Sequence, residues 1–413
     1  MPTDKTYVYI HLDGTFVPAG LLTMDQERDS IVSAFSYGRR YLERRDAAPV
    51  DPLQLPLGRN EYRTAGVFRA FQDASPDGWG RHLLDRAAES GGVTPTEFDY
   101  LTVPDQADRV GALAFGPDLR GPRASRPVWR PDVIAGERLD LAALLRTVDA
   151  VLNDAALPPE QRRFLVRGSS LGGAQPKAAV TYEGRQWIAK FSREREQWPT
   201  CRIELAAMRL AGLCGIRTPL CRVVDVGGRD VFLAERFDRE TTGRRHFLSA
   251  MTLTGADGMS RGAYGDIALA IRRFGEAAHI NVDLEELFRR LVFNILCNNW
   301  DDHLKNHGFL YTPQSKGWRL SPAFDIVPQP RLDNDAASLL TLTVGTRGRA
   351  ATLANALSRC ADYALAPARA RHIVEEMRLV VQTNWQPENQ RAGVSGEKMR
   401  LVEEAYRGAE TGD

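Results

Sequence analysis

The chain has 413 residues, enough for two or three domains with sizeable cores, and 54 basic residues against 53 acidic ones leave a net charge of +1. That balance announces neither a broad nucleic-acid surface nor an acidic disordered tail. Five cysteines, Cys201, Cys214, Cys221, Cys297 and Cys360, form no Cys-x-x-Cys pair, which argues against a disulfide framework or a zinc knuckle and for a reducing cytoplasm.

The N-terminus carries no basic segment followed by an apolar core, and no run reaches the roughly 18 to 20 apolar residues of a membrane span. A soluble cytoplasmic protein without a membrane partner is expected. Residues 7–12 alternate into Asp13-Gly14 and a second strand from Thr15, a hairpin signature, and Ser30 to Phe35 reads as a further strand. Residues 73–81, Asp-Ala-Ser-Pro-Asp-Gly-Trp-Gly-Arg, form a turn-rich break before a short helix from Arg81 to Glu89, with Trp79 expected simply to pack. Val110 to Phe115 is an apolar strand. Residues 116–136, rich in Pro, Gly and Arg, read as a connector, and a domain boundary is placed there.

Arg167 to Lys177 reads Arg-Gly-Ser-Ser-Leu-Gly-Gly-Ala-Gln-Pro-Lys and feeds a hairpin turning at Glu183-Gly184. Glycines let backbone N–H groups approach phosphate oxygens, although a flexible surface loop has the same composition. A Walker A loop is excluded, because no Gly-Lys-Ser/Thr closes the segment. Lys190 ends the second strand, in Trp187-Ile-Ala-Lys-Phe191, with apolar neighbours on both faces. Glu204, opening a helix from Ile203 to Cys214, is a candidate carboxylate for it. Only six of the basic residues are lysines, and Lys177, Lys190 and Lys305 fall inside the motifs. A compact ammonium suits a site among phosphates better than a planar guanidinium. Another hairpin follows, from Cys221 to Val226 and from Val231 to Arg236.

Leu284, Leu287, Phe288, Leu291, Val292 and Ile295 recur at helical spacing behind Asp283, read as an N-cap. The loop after this helix runs Asn298-Asn-Trp-Asp-Asp-His-Leu-Lys-Asn-His-Gly308. Phosphoryl transfer explains such a loop. One carboxylate, Asp301, orients or deprotonates the attacking hydroxyl, while Asn306 and Asp325 hold magnesium on the nucleotide phosphates. Asp301 and Asn306 stand at the spacing of the catalytic Asp and metal-binding Asn of protein kinases, though a polar turn between helix and strand uses the same residue types. His303 and His307 are not read as a zinc pair, since the Glu of His-Glu-x-x-His is missing and both lie in a loop. Beyond Asp325, helical patterns near 352–361 and 366–383 suggest a helical lobe, and the last thirty or so residues read as polar and peripheral.

Taken together, Ser170-Leu-Gly-Gly-Ala-Gln-Pro-Lys177, Lys190, Glu204, Glu235-Arg-Phe-Asp-Arg239, Asp301-Asp-His-Leu-Lys-Asn306 and Phe324-Asp325 resemble the HipA family of bacterial toxin-antitoxin serine/threonine kinases. Phe35-Ser-Tyr37 and Val110-Gly-Ala-Leu-Ala-Phe115 resemble that family's amino-terminal domain. The resemblance implies an α+β, two-lobed protein-kinase-like fold with an additional small β-rich N-terminal domain and a helical C-terminal lobe. The expected division is 1–120, 121–236 and 237–413. It also implies ATP and Mg2+ as cofactors, with Asp301, Lys190 and Glu204 as catalytic residues and Asn306 and Asp325 at the metal. Nucleotide contacts fall to Gly172, Gly173, Ala174, Gln175, Lys177 and Lys190, and also to Glu235, Phe237, His303 and Lys305. Ser170, with Ser169 as its neighbour, matches the position that family members phosphorylate on themselves. The implied partners are a HipB-like helix-turn-helix antitoxin, operator DNA bound mainly through that antitoxin, and a protein substrate of the translation apparatus such as an aminoacyl-tRNA synthetase. Two departures are Pro176, where an acidic residue is common, and Asp302, where relatives often carry Gly and which is expected to add negative charge near the phosphates. A small-molecule phosphotransferase, a lipid kinase and an inactive fold kept as a co-repressor remain alternatives.

Overall fold

The computed structural model describes residues 3–27, 30–89, 91–131, 140–194, 196, 198–241, 243–330 and 338–411. The chain forms two compact units. The first comprises Met1–Arg193, Val226–Gly228 and Glu235–Leu248, and the second comprises Glu194–Asp225, Arg229–Ala234 and Ser249–Asp413.

In the first unit, β1 (Asp4–Leu12), β2 (Thr15–Glu27), β3 (Ser30–Tyr37), β4 (Glu61–Ala65) and β5 (Leu113–Gly116) make a sheet in the order β4-β3-β2-β1-β5. Asp13 and Gly14 both take positive φ, 45° and 78°, the backbone that lets a two-residue turn match the strand twist. The β1–β2 register shifts between Val8 and Tyr9, next to Pro18, whose missing N–H is tolerated at such a bulge. Val8, Ile10 and Phe35 are fully buried, and Phe35, Phe71 and Phe115 stack edge to face at 5.7 and 5.8 Å.

The first unit also holds α1 (Gly78–Glu89), α2 (Leu141–Leu152) and α3 (Pro159–Gly168). α1 begins three residues before the sequence-based start. α2 and α3 were not foreseen. Part of the expected connector, residues 132–139, lies outside the described residues. The glycine-rich segment then leads into β6 (Lys177–Tyr182) and β7 (Arg185–Phe191), an antiparallel hairpin in which Lys177 stands opposite Lys190.

The second unit is mostly helical. It contains α4 (Thr200–Leu213), and β8 (Cys221–Val226) and β9 (Arg229–Glu235) are neighbouring strands around Gly227-Gly228. α5 (Tyr264–Phe274) and α6 (Ile280–Leu296) precede the hairpin of β10 (Gly308–Thr312) and β11 (Gly317–Leu320), and α7 (Pro367–Arg391) and α8 (Glu397–Thr411) close the chain. α6 starts at Ile280, so Asp283 is not its cap. Its carboxylate is buried and accepts from Arg319 Nε at 2.9 Å and from the Leu320 N–H at 3.0 Å. Nor is the chain's end peripheral, because Val402, Ala405 and Tyr406 on α8 are fully buried and Tyr406 stacks on Trp385 at 5.4 Å.

Candidate active site

The loop from Asn298 to Gly308 follows α6, whose apolar face anchors it. Asn298 takes a positive φ of 50° and so turns the chain out of the helix. From there the two adjacent carboxylates part company, since Asp301 is exposed and Asp302 only 4% exposed. Asp302 accepts from the Tyr264 hydroxyl and lies 2.8 Å from His307 Nε2. The network continues, as Asn294 Nδ2 donates to the Tyr264 oxygen at 3.1 Å and Asn299 Nδ2 donates to Asn294 Oδ1 at 3.0 Å. Burial would raise the Asp302 carboxyl, but His307 and the Tyr264 hydrogen bond hold it below the usual carboxylate range. The extra charge expected near the phosphates is therefore directed into a structural network instead.

Asp301 behaves oppositely. Partial burial raises its carboxyl, the charges of Asp325 and Asp302 add to the rise, and His303 opposes it. Asn306 is buried in a short 3-10 turn, and its Nδ2 reaches the Asp301 carbonyl at 3.4 Å. The segment holding Asp325 is tied to the same loop, for Asn299 Oδ1 accepts from the Val327 N–H at 3.3 Å and Asn298 Nδ2 donates to the Gln329 carbonyl at 2.8 Å. Asp325 itself sits at φ 60°, a conformation non-glycine residues rarely adopt and which tends to persist where function requires it. The second unit thus gathers Asp301, Asn306 and Asp325. His303 and Lys305 on the same loop are half-buried, and Glu204, on α4, is 1% exposed. The anchoring asparagines were visible in the sequence as part of an amide-rich stretch, but their role was not.

The first unit holds the remaining candidates. Lys190 is 5% exposed at the end of β7, and Lys177 is half-buried across from it. Gly172, Gly173, Ala174 and Gln175 form an irregular loop in which Ala174 is exposed. Ser169 and Ser170 are buried: Ser169 donates to the Val166 carbonyl at 2.8 Å and Ser170 to the Asp105 carbonyl at 3.3 Å. Glu235 pairs with Arg185 at 3.1 Å, and Phe237 lies 6.4 Å from Phe247. Between them in sequence, the fully buried Arg236 guanidinium is bound by Asp238 and donates to the Asp108 and Arg109 carbonyls.

Among the described residues no three His, Cys, Asp or Glu side chains cluster as a protein-only metal site. Asn306 and Asp325 nevertheless supply the oxygen donors magnesium prefers, and that ion commonly takes one or two carboxylates and completes its shell with phosphate and water. Among the described residues no helix is long and apolar enough to cross a membrane.

A strand-borne lysine pair beside a glycine-rich loop and a helix-anchored Asp/Asn loop are the parts of a kinase-type phosphotransferase. The chain belongs to the HipA family: residues 169–385 match the HipA-like C-terminal domain and residues 8–116 the HipA N-terminal domain. A Sinorhizobium fredii protein named as a candidate kinase is 28% identical over 402 residues, covering 90% of both chains. The serine/threonine-protein kinase toxin HipA of Shewanella oneidensis is 26% identical over 278 residues, 59% of each chain. The solved complex of Shewanella oneidensis HipA, HipB and operator DNA contains a similar fold, with a TM-score of 0.66 at 17% identity over 98% of this chain and 96% of that one.

Proposed function

We propose that this protein is an ATP- and Mg2+-dependent serine/threonine protein kinase acting as the toxin of a toxin-antitoxin module. The observation that carries the reading is the loop of the second unit, where Asn306 bonds to Asp301 and the segment that carries Asp325 is hydrogen-bonded to the same loop through Val327 and Gln329. Asp301 accepts or orients the proton of the attacking hydroxyl, and its raised carboxyl suits a base more than an inert surface acid does. Asn306 and Asp325 would hold magnesium, which would supply positive charge against the transferring phosphate. Lys177 and Lys190, directly opposite on neighbouring strands, would repel each other, and phosphate oxygens relieve that repulsion. Glu204 is the candidate carboxylate for Lys190. Gly172 to Gln175 cover the nucleotide, with Glu235, Phe237, His303 and Lys305 as further contacts.

The target is a serine or threonine on a protein, with a translation component such as an aminoacyl-tRNA synthetase as the class. The partner is a HipB-like helix-turn-helix antitoxin that brings operator DNA. Self-phosphorylation at Ser170, or at Ser169, inactivates the enzyme, because a phosphoserine adds about −1.5 to −2 charge where ATP phosphates belong. Both hydroxyls are buried, so the loop has to leave its seat first. The test is phosphoproteomics after controlled expression, beside Asp301→Asn. That variant should lose about 100- to 10,000-fold in transfer while keeping its fold, since the amide is nearly isosteric but accepts no proton. Transfer at the wild-type rate would remove Asp301 from this role, and phosphate found only on a small molecule or lipid would replace the protein-kinase reading.

A further inference from the structure

Two glycine-rich segments, 77–80 and 169–173, meet backbone to backbone within the first unit. Gly173 N–H donates to Asp77 Oδ1, across 96 residues of sequence, and the Trp79 N–H returns a bond to the Gly173 carbonyl at 2.8 Å. A Cβ on Gly172 would fall within 3.0 Å of the Asp77 carboxylate, one on Gly78 within 3.0 Å of the Gly173 carbonyl oxygen, and one on Gly80 within 3.0 Å of the Leu171 and Ser169 carbonyl oxygens. At Gly78 and Gly80 the obstacle is backbone and no side chain fits, which accounts for the Asp-Gly-Trp-Gly spelling that composition marks only as a turn, whereas at Gly172 a side chain would have to displace the Asp77 carboxylate. Lys177 Nζ also lies against Gly173, so a carboxylate and an ammonium flank one peptide of the loop.

We propose that Asp77 is a positioning residue for the nucleotide: its grip on the Gly173 amide fixes the glycine-rich loop in the form that receives the phosphates. This rests on the kinase reading above. Two successive glycines have more backbone freedom than any other pair and lose more of it when the loop is fixed. A ligand that must order such a loop loses affinity by that cost, and a loop ordered beforehand spares it. Bonds to a carboxylate are the strong ones, so Asp77 is suited to do this where a neutral hydroxyl is not. Since Asp77 takes the Gly173 N–H, the phosphates fall to the next amides, Ala174 and Gln175, of which Ala174 is exposed.

The experiment compares the full chain with Asp77→Ala and Asp77→Asn, the latter keeping an acceptor oxygen. Hydrogen exchange over 169–175 is read without nucleotide, and KM for ATP, kcat and calorimetric ATP affinity are read with magnesium. Asp77→Ala should speed exchange at Gly173, weaken ATP binding and raise KM for ATP by about tenfold, with kcat within about twofold, and Asp77→Asn, which keeps a neutral acceptor, should recover part of both. Should Asp77→Ala not fold, Asp77→Ser carries the same expectations with a shorter side chain. Unchanged exchange, tighter ATP binding, or an equal loss in Asp77→Asn would overturn the proposal. A wild type that binds no nucleotide would sink the kinase reading, whereas wild-type binding left unaltered in Asp77→Ala would sink only this one.

Discussion

Asp301 and Asp302 are identical in chemistry and adjacent in sequence, yet one faces solvent and the other is 4% exposed. The loop's residue types could be read in the sequence as a string of amides and carboxylates behind a helix, but which carboxylate turns inward depends on Tyr264 and His307, whose placement is set by the fold. Asp302 therefore acts through position. Replacing it with Asn removes the charge that His307 and Tyr264 share, and should cost about 1–3 kcal/mol of stability and lower kcat more than KM. Thermal unfolding and steady-state assays check this, and unchanged melting with unchanged kcat would refute it. The pH dependence follows in sign. The folded-state pKa lies below that of the unfolded chain, about 3.9, so this contribution is complete above that value and is lost as pH falls through the lower, folded one. Asp302→Asn should thus cost least in strong acid.

At the scale of elements, the long periodic segments could be read directly, and α6 is an example. Its start could not. Asp283 resembles a cap, but it accepts from Arg319 and the Leu320 N–H on β11, and Arg217 Nη2 reaches it at 3.1 Å. A carboxylate that joins a helix to a strand cannot be told from a cap by local sequence, because both uses need the same oxygen. Asp283→Ala leaves the buried Leu320 N–H without its acceptor and Arg319 with only Glu276, 3.6 Å away, and should destabilise the second unit by about 1–3 kcal/mol, seen as a lowered denaturation midpoint. Loss of less than about 1 kcal/mol would show that solvent replaces the carboxylate. α2 and α8 were missed for a different reason. Leu141, Leu144, Leu145, Val148 and Val151 follow helical spacing behind Asp140, whose side chain accepts from the Ala142 and Ala143 N–H groups, but they follow a Pro-rich stretch that drew attention to a connector. In α8 the buried Val402, Ala405 and Tyr406 are diluted by charged neighbours, so average polarity hid a real apolar stripe.

For the molecule as a whole, the kinase motifs were legible because each is a short local string, whereas the division into units was not, since Glu235–Leu248 belongs to the first unit although segments of the second flank it in the chain. Net charge, unlike topology, can be read without a fold, and it bears on the proposed DNA-linked partner. DNA affinity is dominated by release of counterions from phosphates neutralised by Lys and Arg, so a chain with 54 basic and 53 acidic residues has little net field to draw on. Many of its arginines are already engaged internally: Arg217, Arg289, Arg290 and Arg319 each pair with a carboxylate in the second unit. Sequence-specific operator binding should therefore require a basic dimeric helix-turn-helix protein that reads two half-sites, with the kinase adding few phosphate contacts of its own. Titrated by anisotropy across about 50 to 200 mM salt, the isolated chain should bind operator DNA weakly and without sequence preference. The mixture with the proposed helix-turn-helix partner should bind tightly, with a salt slope close to that of the partner alone. Nanomolar, sequence-specific binding by the isolated chain at physiological salt would contradict this, and a complex slope much steeper than the partner's would place a local basic patch of the kinase on the DNA.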